Sequence, residues 1–267
     1  MKGLIILMVF FFTYNCTAQD SGNSIDSTMA GILVNDTIKQ RLRPNIIKIN
    51  VIPIVLNSYS IAYERLLGRR ISVQLGYRYQ PYQYLMDNVI GRYFAKKDIG
   101  DLRYYGFQTS NYSVTADVKW YISKKKQPAK GAFLGVYTRY SSFDLDNLQY
   151  NFVTDKENVF SVPLVSNINL YAIGLFSGMQ WFIKKRIAIE YNWGLQLAKV
   201  TGTLQSKKDL RGLSDSEKRT LESEIDDLFT INGKEYVNAK ASNDGVNSKV
   251  SGMLLGTRFQ LLVGYRF

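Results

Sequence analysis

Histidine is absent from the 267-residue chain, and cysteine occurs once, as Cys16. Without an imidazole, the usual general base near neutral pH and the commonest metal ligand are both missing. A Ser-His-Asp set is excluded, and with it the hydrolases and acyltransferases that depend on one. Cys16 falls in a stretch that reads as a removable leader, so the mature chain is expected to hold no disulfide framework and no reactive thiol. Long apolar runs are lacking too. The run from Leu4 to Phe12 is too short for a membrane helix, which needs about 20 residues, and no later segment has the unbroken length. No glycine loop of the phosphate-cradling kind is evident. Gly174, Gly178 and Gly194 sit inside strand-like runs, where a missing side chain relieves crowding. Acidic residues are the minority charge, 22 against 34 Lys and Arg, for a formal net charge of +12. The basic residues are scattered, which argues against nucleic acid and for an anionic membrane surface.

Residues 1–18 have the parts of a secretory signal peptide. Lys2 starts it, Leu4 to Phe12 form the apolar core, and Cys16-Thr17-Ala18 precede a cut before Gln19. A lipid-modified Cys16 is the competing reading, which Tyr14 and Asn15 disfavour. Residues 19–44 are polar, without a strong period, and end at Pro44. They read as a flexible periplasmic segment. Residues 45–267 carry the rest of the pattern.

The end of the chain is the most regular part. Met253, Leu255, Thr257, Phe259, Leu261, Val263, Tyr265 and Phe267 alternate with Leu254, Gly256, Arg258, Gln260, Leu262, Gly264 and Arg266. Successive side chains of a strand point to opposite faces, so one face is greasy and the other small or polar. Such a strand suits lipid on one side and a polar barrel interior on the other. Seven earlier runs behave similarly, at about 45–56, 59–67, 71–80, 111–122, 132–143, 167–183 and 187–197, with weaker alternation in the fifth. Short basic connections at Gly68-Arg69-Arg70, Ser123 to Lys130 and Lys184-Lys185-Arg186 alternate with long polar ones at 81–110, 144–166 and 198–249. Only the first hairpin, near Asn57-Ser58, is short where a long loop is expected. Outer-membrane barrels segregate short periplasmic turns from long external loops in this way. The fold class expected is therefore all-β, an eight-stranded antiparallel up-and-down transmembrane β-barrel with long extracellular loops. The 198–249 loop should hold a short helix at about 215–229. Ser214 and Glu217 match a capping box there, and Leu221, Ile225 and Leu228 recur at helical spacing.

If the greasy faces meet lipid, the opposite faces gather inside. Glu64, Arg78, Asp117, Lys119, Glu190 and Arg258 are then a lumen polar network, with Gln74, Asn192 and Gln260 among them. Eight strands leave room only for side chains to fill, and buried charges must pair. The network reads as a plug, with a proton- or ion-conducting path as the alternative. Acid–base work by Glu64, Asp117 and Glu190 depends on geometry that spacing does not supply. Asp144 and Asp146 are the candidates for a hard cation, against the plainer reading of solvated loop acids. Trp120, Tyr121, Trp181, Phe182, Tyr265 and Phe267 lie beside the short basic turns or at the same end. They read as interface aromatics.

Lys48-Ile49-Asn50, Tyr63-Glu64-Arg65, the run from Gly135 to Phe143, Gly178-Met179-Gln180-Trp181-Phe182 and the Gly264-Tyr265-Arg266-Phe267 ending carry a family resemblance. Over residues 45–267 the chain resembles the small outer-membrane β-barrels of Bacteroidota-type bacteria, and more narrowly the uncharacterised DUF3575 family. The resemblance implies the outer membrane of a Gram-negative bacterium and insertion by the barrel-assembly machinery, which reads a C-terminal aromatic strand. It brings no catalytic residues. The function expected is a non-enzymatic structural or cell-surface role, with no cofactor or metal. The partners expected are outer-membrane lipids and an extracellular protein or glycan ligand bound by the loops. A narrow pore or small-ligand carrier is the alternative.

Overall fold

The computed structural model describes residues 44–84, 108–122, 128–154, 158–228, 230–231 and 234–267. The expected leader at 1–18, nearly all of the 19–44 segment, most of the 81–110 connection and most of the second basic turn lie outside the described residues. Alternating apolar and polar residues make the strands, and each pairs antiparallel with its chain neighbour. In order they are β1 (Asn45–Asn50), β2 (Tyr59–Leu66), β3 (Ile71–Tyr84), β4 (Gln108–Tyr121), β5 (Gly131–Val153), β6 (Val159–Ile183) and β7 (Ile187–Ser206). Then come helix α1 (Asp215–Leu228), a small hairpin of β8 (Thr230–Ile231) and β9 (Lys234–Glu235), β10 (Val237–Ser242) and β11 (Gly245–Arg266). β11 pairs with β7 along its length and with β1 at its end, Ile46 opposite Arg266 and Asn50 opposite Leu262. This closes β1–β7 and β11 into a ring of eight strands. The protein is all-β and antiparallel with one short helix, and no helix among the described residues is long and apolar enough to cross a membrane.

The strand ends depart from those expected. The first run stops at Asn50 because Pro53, which has no N–H to give a ladder, opens a 3-10 turn over Pro53–Leu56. Asn57 ends that turn at φ 52°. The 144–166 stretch is not a long loop. β5 continues to Val153 and β6 begins at Val159, with a register shift between Leu145 and Leu148. The 198–249 stretch is also largely ordered: β7 runs on to Ser206, and β10 hangs on the first residues of β11 through a tight turn. Gly245 takes φ 136° in that turn, open to few residues but glycine, and a Cβ there would lie 1.9 Å from the Ser206 carbonyl oxygen. α1 begins with the capping box read from the sequence. The Glu217 N–H donates to Ser214 Oγ at 3.2 Å and the Ser214 N–H to Glu217 Oε2 at 2.8 Å.

Outward side chains around the ring are large and apolar, among them Ile61, Leu75, Val118, Leu134, Ile173, Leu175, Trp193 and Leu195, and all are exposed. The apolar core lies elsewhere, where β5–β7, β10 and β11 project past the ring and α1 covers them. Tyr150, Phe152, Val162, Leu164, Leu204, Leu221, Ile225 and Val250 belong to it. α1 also serves the free edge of β10, whose Ala239 and Ala241 N–H groups donate to Asp226 Oδ1 at 2.7 Å and Glu222 Oε1 at 2.6 Å. We call this projecting region the cap. The ring end carrying the cap is the far end, and the end with the short turns is the near end.

Candidate functional site

Period-two alternation turns Lys48, Glu64, Lys119 and Glu190 inward from β1, β2, β4 and β7. Ring closure brings them together, with no side-chain surface left exposed. Lys48 Nζ donates to Glu64 Oε2, to Glu190 Oε2 and, at 2.6 Å, to Gln180 Oε1. Lys119 Nζ donates to Glu190 Oε2 at 2.7 Å, Glu190 Oε1 at 2.8 Å, Gln74 Oε1 at 2.9 Å and Glu64 Oε2 at 3.2 Å. Glu64 Oε1 accepts from the Ser72 hydroxyl and, at 2.8 Å, from the Tyr121 hydroxyl. Two ammonium groups and two carboxylates thus alternate as a neutral set whose remaining lone pairs find donors, the condition under which buried ions are tolerated.

Gln74 connects this set to a second pair, donating from Nε2 to Asp117 Oδ2 at 2.9 Å. Arg258 clasps both Asp117 oxygens, Nη1 to Oδ1 and Nη2 to Oδ2, each at 2.7 Å. This is the bidentate fork that makes Arg–carboxylate pairs strong. The guanidinium lies over Tyr137 at 4.4 Å and Phe176 at 4.7 Å. Tyr121, Phe133, Phe176 and Tyr137 pack edge-on in that order across the interior, with neighbouring centroids 5.4–5.8 Å apart. Gly174 and Gly178 make room for them. A Cβ at Gly174 would sit 2.6 Å from the Tyr137 ring, and one at Gly178 2.6 Å from the Phe133 ring.

Past the Asp117–Arg258 pair, toward the far end, a cavity of about 200 Å³ opens inside the strand ring. Arg78, Arg139, Arg258, Asp117, Ser113 and Thr115 are among its lining residues. Arg78 Nη2 donates to Asn111 Oδ1. Arg139 lies over the Tyr137 ring at 5.6 Å.

Of the six lumen residues expected from sequence, Glu64, Lys119 and Glu190 meet in one cluster, Asp117 and Arg258 form the adjoining pair, and Arg78 stands apart on the cavity wall. Sequence reasoning missed Lys48, although it lies between the outward Ile47 and Ile49. It left Gln180, on the smaller face of the sixth run, out of the network, and missed Arg139 in the weakly alternating fifth run. Trp120, Trp181, Tyr265 and Phe267 point outward at the near end, between 42% and 53% exposed. Tyr121 does not join them. It follows the outward Trp120, so its side chain enters the lumen and is 1% exposed. Phe182 is likewise turned inward, beneath the Arg266 guanidinium at 4.9 Å. Asp144 and Asp146 sit in β5 rather than in a loop, and Asp144 accepts from Asn167 Nδ2 at 2.5 Å. Among the described residues no three metal-ligating side chains come together.

A family described as protein of unknown function (DUF3575) matches residues 28–207. The match takes in β1 through β7 and more than half of the chain, so the chain belongs to the DUF3575 family. No curated protein matches it, and neither does any solved structure.

Proposed function

We propose that this DUF3575 chain is a multi-pass β-barrel of the outer membrane of a Gram-negative bacterium. In this reading it is not an enzyme. The plugged barrel anchors a rigid extracellular cap that meets a protein or glycan ligand. The observation that carries the reading is a reversal of polarity along single strands. On β7 the outward side chains Ile187, Ile189, Tyr191, Trp193, Leu195 and Leu197 are apolar, while Glu190, Asn192 and Gln196 point in. Beyond Leu197 the outward residues become Lys199, Thr201, Thr203 and Gln205, and the inward ones Ala198, Val200 and Leu204. One strand with opposite preferences at its two ends needs two surroundings, lipid around the ring and water around the cap. At about 3.4 Å per residue and a tilt near 40°, the apolar stretch of β7 is roughly 26 Å tall. A hydrocarbon belt of about 25 Å is what outer-membrane barrels show.

Orientation follows from the near end. Trp120, Trp181, Tyr265 and Phe267 ring it, beside Arg69, Arg70, Lys184, Lys185 and Arg186. Amphipathic rings and cations suit a headgroup layer, and short basic turns suit the periplasmic side. Outer-membrane lipids are then the partners of the apolar belt. The removable signal peptide at 1–18 and the periplasmic segment at 19–44 precede the barrel in the chain. β11, ending in Phe267, is the strand offered to the barrel-assembly machinery. The tied carboxylates favour a non-enzymatic role. Glu64 and Glu190 are each held by two lysines, and Asp117 by Arg258, so none stands free as a base.

The experiment compares unboiled and boiled samples on a denaturing gel, after outer-membrane fractionation. The folded form should migrate faster until boiled. A water-soluble mature protein would overturn the reading. In planar bilayers the neutral plug should keep conductance low, and a stable conductance abolished by lumen substitutions would favour the narrow pore or carrier. Excising residues 208–244 and joining β7 to β11 by a short turn should leave the mobility shift and abolish ligand binding.

A further inference from the structure

We infer that the cavity between the plug and the far end of the ring binds a small oxyanion, a phosphate or carboxylate borne by a molecule of few atoms. Charge on the inner wall leads to this. Lys48 and Lys119 balance Glu64 and Glu190, and Arg258 balances Asp117. Arg78 and Arg139 also line the cavity or its wall, and neither has a carboxylate of the described residues within ion-pair distance. Asn111 offers Arg78 an amide dipole and the Tyr137 ring offers Arg139 a quadrupole, and neither carries a charge. Among the described residues the cavity wall therefore carries two cations that no carboxylate pairs, behind strands whose outer face is apolar. Such an enclosure focuses a field that water would otherwise screen.

The donors are poised as well as charged. Arg78 Nε and Arg258 Nε are buried with no hydrogen-bond partner. Buried donors are nearly always satisfied, so these two arginines on the cavity wall have bonding capacity that the surrounding protein leaves unused. Guanidinium forks match the spacing of oxyanion oxygens better than any other side chain. Strand register adds hydroxyls at the same level, with Ser113 directly opposite Arg78 and Thr115 directly opposite Arg139. Volume sets an upper limit. A dry cavity of about 150 Å³ accepts benzene, so about 200 Å³ holds a phosphate with a few further atoms. The Asp117–Arg258 pair forms the floor, so the ligand enters from the far end and stops there.

The test uses the full mature chain folded in detergent, titrated calorimetrically with inorganic phosphate and separately with acetate at constant ionic strength. Saturable binding of one anion per chain is expected, and the two arms tell phosphate from carboxylate. Arg78→Gln and Arg139→Gln should each weaken binding about tenfold or more, as loss of a charge-assisted hydrogen bond does. Both should keep the gel mobility of the folded form, and Lys199→Gln in the cap should bind as the unaltered chain does. No saturable binding of either anion, or undiminished binding when both arginines are replaced, would overturn the inference. The site depends on the closed ring and not on the membrane. Binding without a heat-dependent mobility shift would keep the site and sink the outer-membrane reading.

Discussion

Inside the ring β7 presents Glu190, Asn192 and Gln196; inside the cap the same strand presents Ala198, Val200 and Leu204. β6 makes the same change. Gln180 faces the plug, while Leu164 and Val162 belong to the apolar core under α1. The two regions are stabilised by opposite chemistry on shared strands. The cap gains from removing apolar surface from water, about 25 cal/mol per Å². The ring has most of its apolar surface outside, so its interior is held by matched charge and hydrogen bonds beside one small aromatic cluster, Tyr121, Phe133, Tyr137 and Phe176. Mutations should therefore sort by region. In the ring an interior substitution is judged by the charge it unbalances, and in the cap by the volume it leaves empty.

The largest effect expected is from Lys119→Met, which leaves Glu64 and Glu190 sharing one ammonium. Loss of one partner from a buried ion set costs about 3–5 kcal/mol, read as a drop in unfolding free energy in detergent or lipid. Adding Glu190→Gln restores neutrality and should recover part of that loss. A single variant as stable as the parent would break the comparison. Next is Leu221→Ala in α1, at about 2–5 kcal/mol for a buried leucine. Protease should then cleave the cap while the ring keeps its gel mobility. Loss of both together would show one cooperative unit. Arginine placed outward separates the surroundings themselves. Leu175→Arg, in the apolar belt, should cost about 2–4 kcal/mol in lipid, and Thr203→Arg, on the cap side of β7, no more than about 0.5 kcal/mol. Equal costs would contradict a lipid belt. Smallest is Ser214→Ala, which removes half of the α1 capping box and should raise hydrogen exchange of its first turn by the equivalent of about 1 kcal/mol.

Much of the ring is legible in sequence because its two faces differ in kind. Tyr112, Val114, Ala116, Val118 and Trp120 against Ser113, Thr115, Asp117 and Lys119 fix both the strand and its inner side. The projecting parts are harder to read. Polarity reverses near Leu197 on β7, so the apolar-out pattern stops where the strand continues. Asp144 and Asp146 look like loop residues, and the register shift at Leu145–Leu148 interrupts the period that marks β5. Membership of the charged interior follows from alternation, but partnership does not. Which carboxylate meets Lys119 depends on how the strands are staggered around the ring, since Glu64 and Glu190 lie 55 and 71 residues away in the chain. Tyr121 shows the limit of reading a residue by its neighbourhood, because one step along the strand changes which medium it meets.

The seam between β1 and β11 has a consequence for assembly. Three members of the central set, Glu64, Lys119 and Glu190, are carried by β2, β4 and β7, and the fourth, Lys48, comes only from β1. A sheet that has not yet joined its first strand to its last keeps Lys48 on the strand paired with that of Glu64 but holds it away from Glu190. Closure thus supplies Glu190 with its second lysine. A register slip of one residue at the seam would turn Lys48 outward and bring a flanking isoleucine in. The interior works as an electrostatic proof-reader of its own circumference, accepting only the ring in which the first strand meets the last in the observed register.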